Sequence, residues 1–489
     1  ADTDDRPPNV AGAMLPSLSP VILKHLQWMM AKDSMEQDMF LVGPPGAGEV
    51  FRRRLALAYA ELTQKPIEIL TISGDLTESD LKQRREIVQT PSIHNHENGG
   101  NTASTQIRFI DQAPVRAAKH GRLLLLDGIE KAERNVLPTL NNLLENREMH
   151  LEDGTMLLPS HRLEQLSSLP SQQGSDDSSS FLTPVHPDFR VIALGVPTPS
   201  FPGRSLDPPL RSRFQIRRID NPSSQELYEQ ILESIPPTRT MGNGNDDLAL
   251  AEACSIAVGT MENNGELFPS NRLNSIWKLM RDFPLEDRIS IMHRAYPLKG
   301  NGAIEKDEKF KSLFERDDTE PRFMKHDQCL SNYSVESVAR SDADFQSVRV
   351  TFMPDPELTS HEGSQEHHSV RASTGDRPIN LNASPHIVHT FGFRKALAAL
   401  IQEHAVGNDF LLVSPKGEGK STLAKEFAAM MGYETHLFAV NNEMTSHNLL
   451  LRRSTDPSTG ETTWEDSPLM RAARLGGICV LDGIEKLRP

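Results

Sequence analysis

The stretch Ser414-Pro415-Lys416-Gly417-Glu418-Gly419-Lys420-Ser421-Thr422 decides the fold. An apolar run at 410–413 comes directly before it and predicts a strand. A helical pattern at 423–431 follows it, and Gly432 ends that pattern as a typical C-cap. A strand, a glycine-rich loop, Lys-Ser and a helix, in this order, are the context of a phosphate-binding P-loop.

Each position of this loop has a physical role in holding a nucleotide. Gly417 and Gly419 let backbone N–H groups turn inward around phosphate oxygens, and the start of the helix, where Thr422 lies, adds a partial positive charge. Lys420 is expected to reach the β- and γ-phosphates, and the Ser421 hydroxyl is expected to ligate Mg²⁺. The predicted cofactors are therefore ATP and Mg²⁺.

A P-loop also needs a carboxylate for Mg²⁺ at the end of a neighbouring strand. The apolar run at 478–481 ends in Asp482 and supplies one, as a Walker B strand does. Ser414 departs from the motif, because a glycine usually makes this first turn. The alternative interpretation of Gly-Lys-Ser is an ordinary surface turn. The flanking strand and helix and the downstream Asp482 disfavour it.

Length, composition and charge limit the classes of protein to which this chain can belong. The 489 residues are enough for two or three domains. A net charge of −15 disfavours a nucleic-acid partner, because neutralising phosphates needs a basic surface. No apolar run approaches the roughly 20 residues of a membrane span, and the three cysteines lack the spacing of metal ligands. Because the chain ends just after the Walker B strand, we expect a fragment of a longer protein.

The chain contains an internal duplication. Leu126–Lys131, Leu-Asp-Gly-Ile-Glu-Lys, recurs letter for letter at Leu481–Lys486, and a Thr-x-x-x-Leu-x-x-Arg-Arg block recurs upstream of both copies. One whole module and the first half of a second are therefore present. We expect an N-terminal tail (1–15), the core of module one (16–218), a helical lid (219–300), a linker (301–385) and the core of module two (386–489).

The loop of module one, Gly43-Pro44-Pro45-Gly46-Ala47-Gly48-Glu49-Val50, differs where chemistry matters. Glu49 replaces the lysine and Val50 replaces the Ser/Thr. At an effective dielectric of about 20, one repulsive pair of charges 4 Å apart costs about 4 kcal/mol, although the arginines at 52–54 could offset part of it. We expect weak nucleotide binding or none. Four residues stay candidates for nucleotide or metal contact: Gly43, Gly46, Gly48 and Asp127.

Several segments outside the loops carry weaker patterns. The charged stretch Glu78–Glu86 predicts a helix, 88–105 a polar loop, and 135–146 an apolar-periodic helix. Asp153-Gly154 predicts a hairpin turn. In the linker only residues 347–353 alternate like a strand.

The order of these motifs resembles an AAA+ ATPase of the MoxR/dynein-related branch. Its elements here are P-loop, Walker B strand, hairpin, apolar strand, Leu210-Arg211-Ser212-Arg213-Phe214 and helical lid. Residues 82–86 and 140–148 are similar, more closely, to a mitochondrial family of that branch with a C-terminal von Willebrand factor A domain. The resemblance implies an α/β fold, a P-loop NTPase αβα sandwich with a helical lid in tandem modules. It also implies ATP hydrolysis, neighbouring AAA+ modules in a ring, a client protein and a mitochondrial location.

Site residues follow from this resemblance position by position. Arg213 matches the arginine finger, which stabilises charge in a neighbour's site; a surface arginine at a helix end is the alternative. Arg272 matches a sensor 2 arginine, and an ordinary cation on a helix surface is the alternative. Lys420, Ser421 and Asp482 match the phosphate and Mg²⁺ groups.

Departures from the family pattern concern hydrolysis. Gly128 and Gly483 stand where the Walker B glutamate is usual, and Glu130 and Glu485 come two residues later. These glutamates could serve only if the chain turns back after the glycine. Val196 takes the place of the sensor 1 asparagine.

Module one is therefore expected not to hydrolyse nucleotide, and Glu485 is the predicted catalytic base of module two. Two functions stay open, an ATP-driven remodelling motor and a non-hydrolysing nucleotide-gated scaffold. A GTPase or small-molecule kinase is disfavoured by the duplication and by the lack of an Asn-Lys-x-Asp motif.

Overall fold

The computed structural model describes residues 20–45, 47–90, 104–133, 135–167, 181–200, 203, 205–233, 244–263, 272–295, 331–341, 344–355, 368–380, 386, 388–455 and 462–486. The predicted tail and Gly46 lie outside them. The chain divides into two units, 1–221 with 453–465, and 222–452 with 466–489.

The described residues from 20 to 221, which belong to the first unit, contain ten strands and seven α-helices. The strands are β1 (Met39–Val42), β2 (Ile67–Thr71), β3 (Gln83–Thr90), β4 (Ser104–Asp111), β5 (Leu123–Asp127), β6 (Met149–His150), β7 (Met156–Pro159), β8 (Leu182–Val185), β9 (Arg190–Gly195) and β10 (Gln215–Arg218). The helices are α1 (Pro20–Ser34), α2 (Ala47–Leu62), α3 (Glu78–Leu81), α4 (Ala113–His120), α5 (Asn141–Glu145), α6 (Ser160–Ser167) and α7 (Pro208–Ser212).

A five-stranded parallel sheet in the order β10-β1-β9-β5-β2 forms the centre of this unit. Its strand β5 has four consecutive leucines, which alternate between two hydrophobic cores. Leu124 and Leu126 face one core, while Leu123 and Leu125 face the other, together with Leu55 of α2. A strand buried on both faces reads as a continuous apolar run. The αβα sandwich is therefore confirmed.

The predicted charged helix at Glu78–Glu86 is wrong for most of its length. Helix α3 ends at Leu81, and β3 then pairs antiparallel with β4 through the whole of both strands. The charges of β3 find partners on other segments, for example Arg85, whose Nε donates to Glu152 at 2.9 Å. Pairing with a distant strand overrides local helix preference, and the same hairpin occupies both ends of the predicted polar loop.

The predicted helix at 135–146 is also wrong in its first half. Residues Leu137–Leu140 form a 3₁₀ turn, and only α5 is α-helical. Pro138 supplies no N–H to an α-helical ladder, which explains the break. The hairpin predicted at Asp153-Gly154 is confirmed, since β6 pairs antiparallel with β7 and Gly154 has a φ of 88°.

The second unit is mostly helical in its first third. The elements that follow residue 221 in the chain are α8 (Ser224–Glu233), α9 (Gly244–Asn263), α10 (Leu273–Asp282), α11 (Arg288–Ala295), β11 (Tyr333–Ser341), β12 (Asp344–Pro354), β13 (His368–Ser373), α12 (Phe391–Ala405), α13 (Lys420–Met430), β14 (Thr435–Ala439), α14 (Ser446–Leu450), β15 (Leu451–Thr455), β16 (Thr462–Asp466), α15 (Pro468–Leu475) and β17 (Ile478–Asp482). Within the described part of the chain, no helix has the length and apolar character needed to span a bilayer.

One hydrophobic core joins the helices α8–α11, a β-sheet and the first two helices of module two. Trp277, Phe352 and Phe427, from these three parts, are all buried in it. The sheet corrects the linker prediction, because β11, β12 and β13 form three antiparallel strands rather than one. A β-bulge between Val335 and Ser337 shifts the alternation of β11 and so hides its period in the sequence.

The strand predicted at 410–413 is wrong. These residues carry no strand in the structure, although β14 and β17 of the same module pair in parallel. The equivalent strand β1 lies between β9 and β10, and no described strand of module two takes those two places. A strand needs neighbours for its backbone hydrogen bonds. Leu411 and Val413 are accordingly 66% and 71% exposed.

Candidate nucleotide-binding sites of the two modules

The loop of module two is open. Gly417 and Gly419 have φ values of 95° and 84°, in the left-handed region that favours glycine. Helix α13 begins directly after Gly419, at Lys420. A Cβ added at either glycine would meet no atom of the described residues within 4 Å. These glycines therefore serve backbone conformation, and the first N–H groups of α13 have no partner within the helix.

Lys420 folds back over this loop. Its Nζ donates to the carbonyl oxygens of Ser414 at 2.6 Å and Pro415 at 2.9 Å, and to the Ser414 hydroxyl at 3.2 Å. Ser414 is absent from the described non-glycine residues with positive φ, so the turn needs no glycine there. The serine instead supplies an acceptor, and the departure from the motif has a structural explanation.

The other predicted residues of module two lie on α13 and at the end of β17. Ser421 is exposed in the first turn of α13, and Thr422 follows it, half-buried. Asp482 ends β17 and is exposed. The Ser421 hydroxyl and the Asp482 carboxylate are the oxygen ligands that Mg²⁺ prefers, so the donor set fits this metal.

The glycine after each Walker B aspartate makes the same turn. Gly128 has a φ of 83° and Gly483 a φ of 86°, and a 3₁₀ turn follows both. The chain therefore does turn back after the glycine, as the use of Glu130 or Glu485 requires. Glu485 is exposed on its turn.

In module one, where the neighbouring strand β9 is present, the turn after Gly128 places Glu130 next to the end of that strand. Glu130 is buried, and its Oε2 accepts from the Val196 N–H at 3.3 Å, just beyond the end of β9. Burial raises the pKa of Glu130, and the nearby charge of Glu49 adds to the rise. A Cβ on Gly195 would lie 2.8 Å from the same oxygen, so a larger residue there would displace the Glu130 carboxylate. Sequence reasoning missed Gly195, although a glycine ending a buried strand was a signal for close approach.

The loop of module one is closed by its own chain. Helix α2 begins at Ala47, so Gly48 is already helical. A Cβ on Gly43 would lie 1.9 Å from the carbonyl oxygen of Ile219, and one on Gly48 would lie 2.6 Å from Oδ1 of Asn221. The glycines here make room for neighbouring protein atoms instead of facing free space.

Two arginines of α2 contact the same site. The wholly buried Arg52 donates from Nη1 to the Pro44 carbonyl at 2.9 Å. Arg53 donates from Nη1 to Oδ2 of Asp127 at 2.7 Å. The sequence had suggested these arginines only as partial compensation for Glu49. Three arginines one turn after a loop without its lysine were the signal.

The predicted finger and sensor arginines have partners of their own. Arg213 follows α7, donates to the Pro209 carbonyl and forms an ion pair with Glu145. Arg272 lies at the start of α10 and donates to the Ala295 carbonyl at 3.4 Å. Their roles as finger and sensor stay predictions.

Comparisons with known proteins agree with this geometry. A family model described as AAA domain (dynein-related subfamily) matches residues 38–214 and 409–489. Mouse (Mus musculus) von Willebrand factor A domain-containing protein 8 is 36% identical over 483 residues, 95% of this chain and 23% of that protein. Protein NorQ of Paracoccus denitrificans is 36% identical over 88 residues, 18% of this chain and 32% of that protein. The chain thus spans less than a third of either relative.

Among solved structures, the RuvB Holliday junction branch migration motor of Thermotoga maritima aligns over 55% of this chain and 66% of that one. The TM-score is 0.29 at 17% identity, too loose to bear on the fold. The family match does bear on it, because both matched stretches contain a P-loop and a Walker B strand. With its parallel αβα core and its tandem modules, the chain belongs to the dynein-related subfamily of AAA domains, within the AAA+ ATPases.

Proposed function

We propose that module two binds MgATP and couples its hydrolysis to remodelling of a partner protein, while module one is a ring segment that does not hydrolyse. The open loop of module two carries this proposal. Its lysine lies over the loop, and its two glycines before the helix N-terminus have open space around them, which together favour a polyphosphate. Module one has neither feature.

The residues of module two have distinct roles in this proposal. Lys420 and the N–H groups around Gly417 and Gly419 bind the phosphates, and Thr422 lies at the same helix start. Ser421 and Asp482 hold Mg²⁺, which neutralises charge on the phosphate oxygens when it is bound. Glu485 orients the attacking water and takes its proton.

Two further groups act around the nucleotide. A finger such as Arg213 acts in the site of a neighbouring AAA+ module, where its cation stabilises charge that develops on the transferred group. Arg272 contributes from the lid as a sensor.

Partners of the protein are then ATP, neighbouring modules in a ring and a client protein. A mitochondrial location is part of the proposal and rests on family resemblance. Imaging of the tagged full-length protein with a matrix marker tests it.

A nucleotide-gated scaffold is the second candidate, because Gly483 stands where the catalytic glutamate is usual. In this candidate ATP fixes the shape of the ring, and Glu485 never handles a proton. The absence of turnover together with tight ATP binding would favour it.

Steady-state phosphate release from the full-length protein tests the motor. We expect Lys420→Ala to lower release by roughly 10²-fold, the usual effect of losing one preorganised charge contact. Lys425→Ala, an exposed lysine on the same helix α13, is the matched control and should leave the rate unchanged. Equal rates of phosphate release for Lys420→Ala and the unmodified protein would show that module two is not the site of ATP hydrolysis.

A further inference from the structure

The residues of the module-one site do not fit MgATP, and both the metal-binding and the phosphate-binding positions differ from those of a working P-loop. Asp127, its only Walker B carboxylate, already has a cation, the Arg53 guanidinium at 2.7 Å. Val50 supplies no oxygen where a P-loop hydroxyl would ligate the metal. A Mg²⁺ ion on Asp127 would have to displace Arg53, and Val50 would add no second ligand.

The space inside the loop is also taken. Nη1 of Arg52 lies 2.7 Å from the position of a Cβ on Gly43 and 2.9 Å from that of a Cβ on Gly48. The two glycines flank the loop, so the guanidinium lies close to both of them. A phosphate bound by this loop would have to compete with it for space. Its bond to the Pro44 carbonyl holds it there.

A buried guanidinium needs negative partners, and the loop has gained one. Burial lowers the pKa of Arg52, and the charges of Glu49, Glu130 and Asp127 act in the opposite direction. Glu49 repels a phosphate, but its charge favours the protonated guanidinium of Arg52. The lost lysine and the buried arginine are therefore one charge-matched exchange.

Module two provides the comparison within the same chain. Aligning Gly48 with Gly419 places Leu423 opposite Arg52 and Ala424 opposite Arg53. Where the loop keeps its lysine and serine, both helix positions are apolar. Where the loop has glutamate and valine, both are arginine. All five positions from 49 to 53 differ between the modules, and four of these differences are the ones that an internal replacement of ligand and metal requires.

We propose that the module-one P-loop is a self-occupied site, in which Arg53 takes the place of Mg²⁺ on Asp127 and Arg52 that of the phosphates. The module then holds its loop, its helix α2 and its Walker B strand together without nucleotide. The proposal deepens the assignment of module one as inactive, but it does not depend on hydrolysis in module two.

Fluorescent mant-ATP with Mg²⁺ tests this in the full-length protein carrying Lys420→Ala, which disables module two. We expect no saturable binding that depends on Asp127. Adding Glu49→Lys, Val50→Ser, Arg52→Leu and Arg53→Ala, the residues of module two, should restore Mg²⁺-dependent binding at least tenfold over this background. A folded variant that carries all these substitutions and does not bind would overturn the proposal.

A milder variant guards against misfolding. Arg53 is 44% exposed, so Arg53→Ala in the Lys420→Ala background should fold normally, and a melting temperature within a few degrees checks this. We expect it to gain Mn²⁺ binding, read by electron paramagnetic resonance, which Asp127→Asn then removes. The proposal would be wrong if the Lys420→Ala protein bound mant-ATP saturably and Asp127→Asn abolished that binding, because module one would then be a nucleotide site of the usual kind. None of these readouts requires phosphate release.

Discussion

Glu68 on β2 lies between two cations, and this shows how single residues stabilise the first unit. Its Oε2 accepts from Nη2 of Arg116 at 2.9 Å, and its Oε1 accepts from Nη1 of Arg122 at 2.6 Å. Burial alone would raise the pKa of Glu68, but the hydrogen bonds from both arginines outweigh it and lower the pKa below its ordinary value. The charged form is therefore favoured in the folded state.

We predict that Glu68→Gln lowers the free energy of unfolding by about 1–3 kcal/mol at pH 7. Because the folded-state pKa is depressed, the stabilisation is complete above the unfolded-state pKa of about 4.3 and is lost as pH falls through the folded value. Thermal unfolding from pH 7 to pH 3 should show the two proteins converge. Glu78→Gln, an exposed carboxyl paired with Lys82, is the control and should stay within about 0.5 kcal/mol. A difference that grows on acidification would contradict this.

The shape of the loop could be predicted where the pattern is local. Gly417 and Gly419 have positive φ and α13 begins at Lys420, as the motif implies, while the nucleotide contacts of these residues stay predictions. The pair Arg53–Asp127 joins residues 74 positions apart. No local pattern reports such a contact, because the sheet order that creates it is a property of the whole module.

At the scale of elements, the turn after β5 depends on a single glycine. Gly128 has a φ of 83°, and a Cβ there would lie 3.1 Å from Cδ of Lys131. The 3₁₀ turn that follows brings Glu130 beside Val196. A left-handed backbone costs an L-residue about 1–2 kcal/mol.

Gly128→Ala should therefore lower the free energy of unfolding by about 1–2 kcal/mol, measured by urea denaturation. Gly392→Ala provides the matched control. It lies in the first turn of α12, has no positive φ and faces no described atom within 4 Å. We expect this second change to be neutral or to stabilise by up to about 1 kcal/mol. An equal loss in both variants would argue against the turn.

Elements with a complete local pattern were predictable, and elements made by distant pairing were not. The strand β5 is a run of leucines buried on both faces, and the hairpin at Gly154 has its turn dipeptide. By contrast, β3 carries charges that suit a helix, and its strand character comes from β4. The segment 410–413 has the composition of a strand, but composition cannot supply the neighbours that a strand needs.

At the scale of the whole molecule, the two compact units do not coincide with the two sequence modules. The second unit contains the helices α8–α11 that follow the core of module one, and it contains α12 and α13 of module two. The first unit has its own cores around β1, β5 and β9. Each unit should therefore respond to its own core.

We predict that Phe427→Ala, on α13, lowers hydrogen-exchange protection of α8–α10 by about 3–5 kcal/mol, because Phe427 is buried in the core that these helices share. Protection of β5 and β9 should not change. Leu55→Ala, buried in the first unit, is the reciprocal control and should lower protection of β5 and β9 alone. Equal loss across both units after either change would refute separate folding.

The shared core also bears on how such a gene could be copied. The helices α8–α11 share one hydrophobic core with the first helices of the next repeat. If a whole module was duplicated end to end, the new copy would therefore have covered apolar side chains of the helices that precede it. Recombination at the boundary of the repeats would leave an exposed apolar surface on both products. The natural crossover point is thus half a repeat away, between the sheet of one module and its own lid.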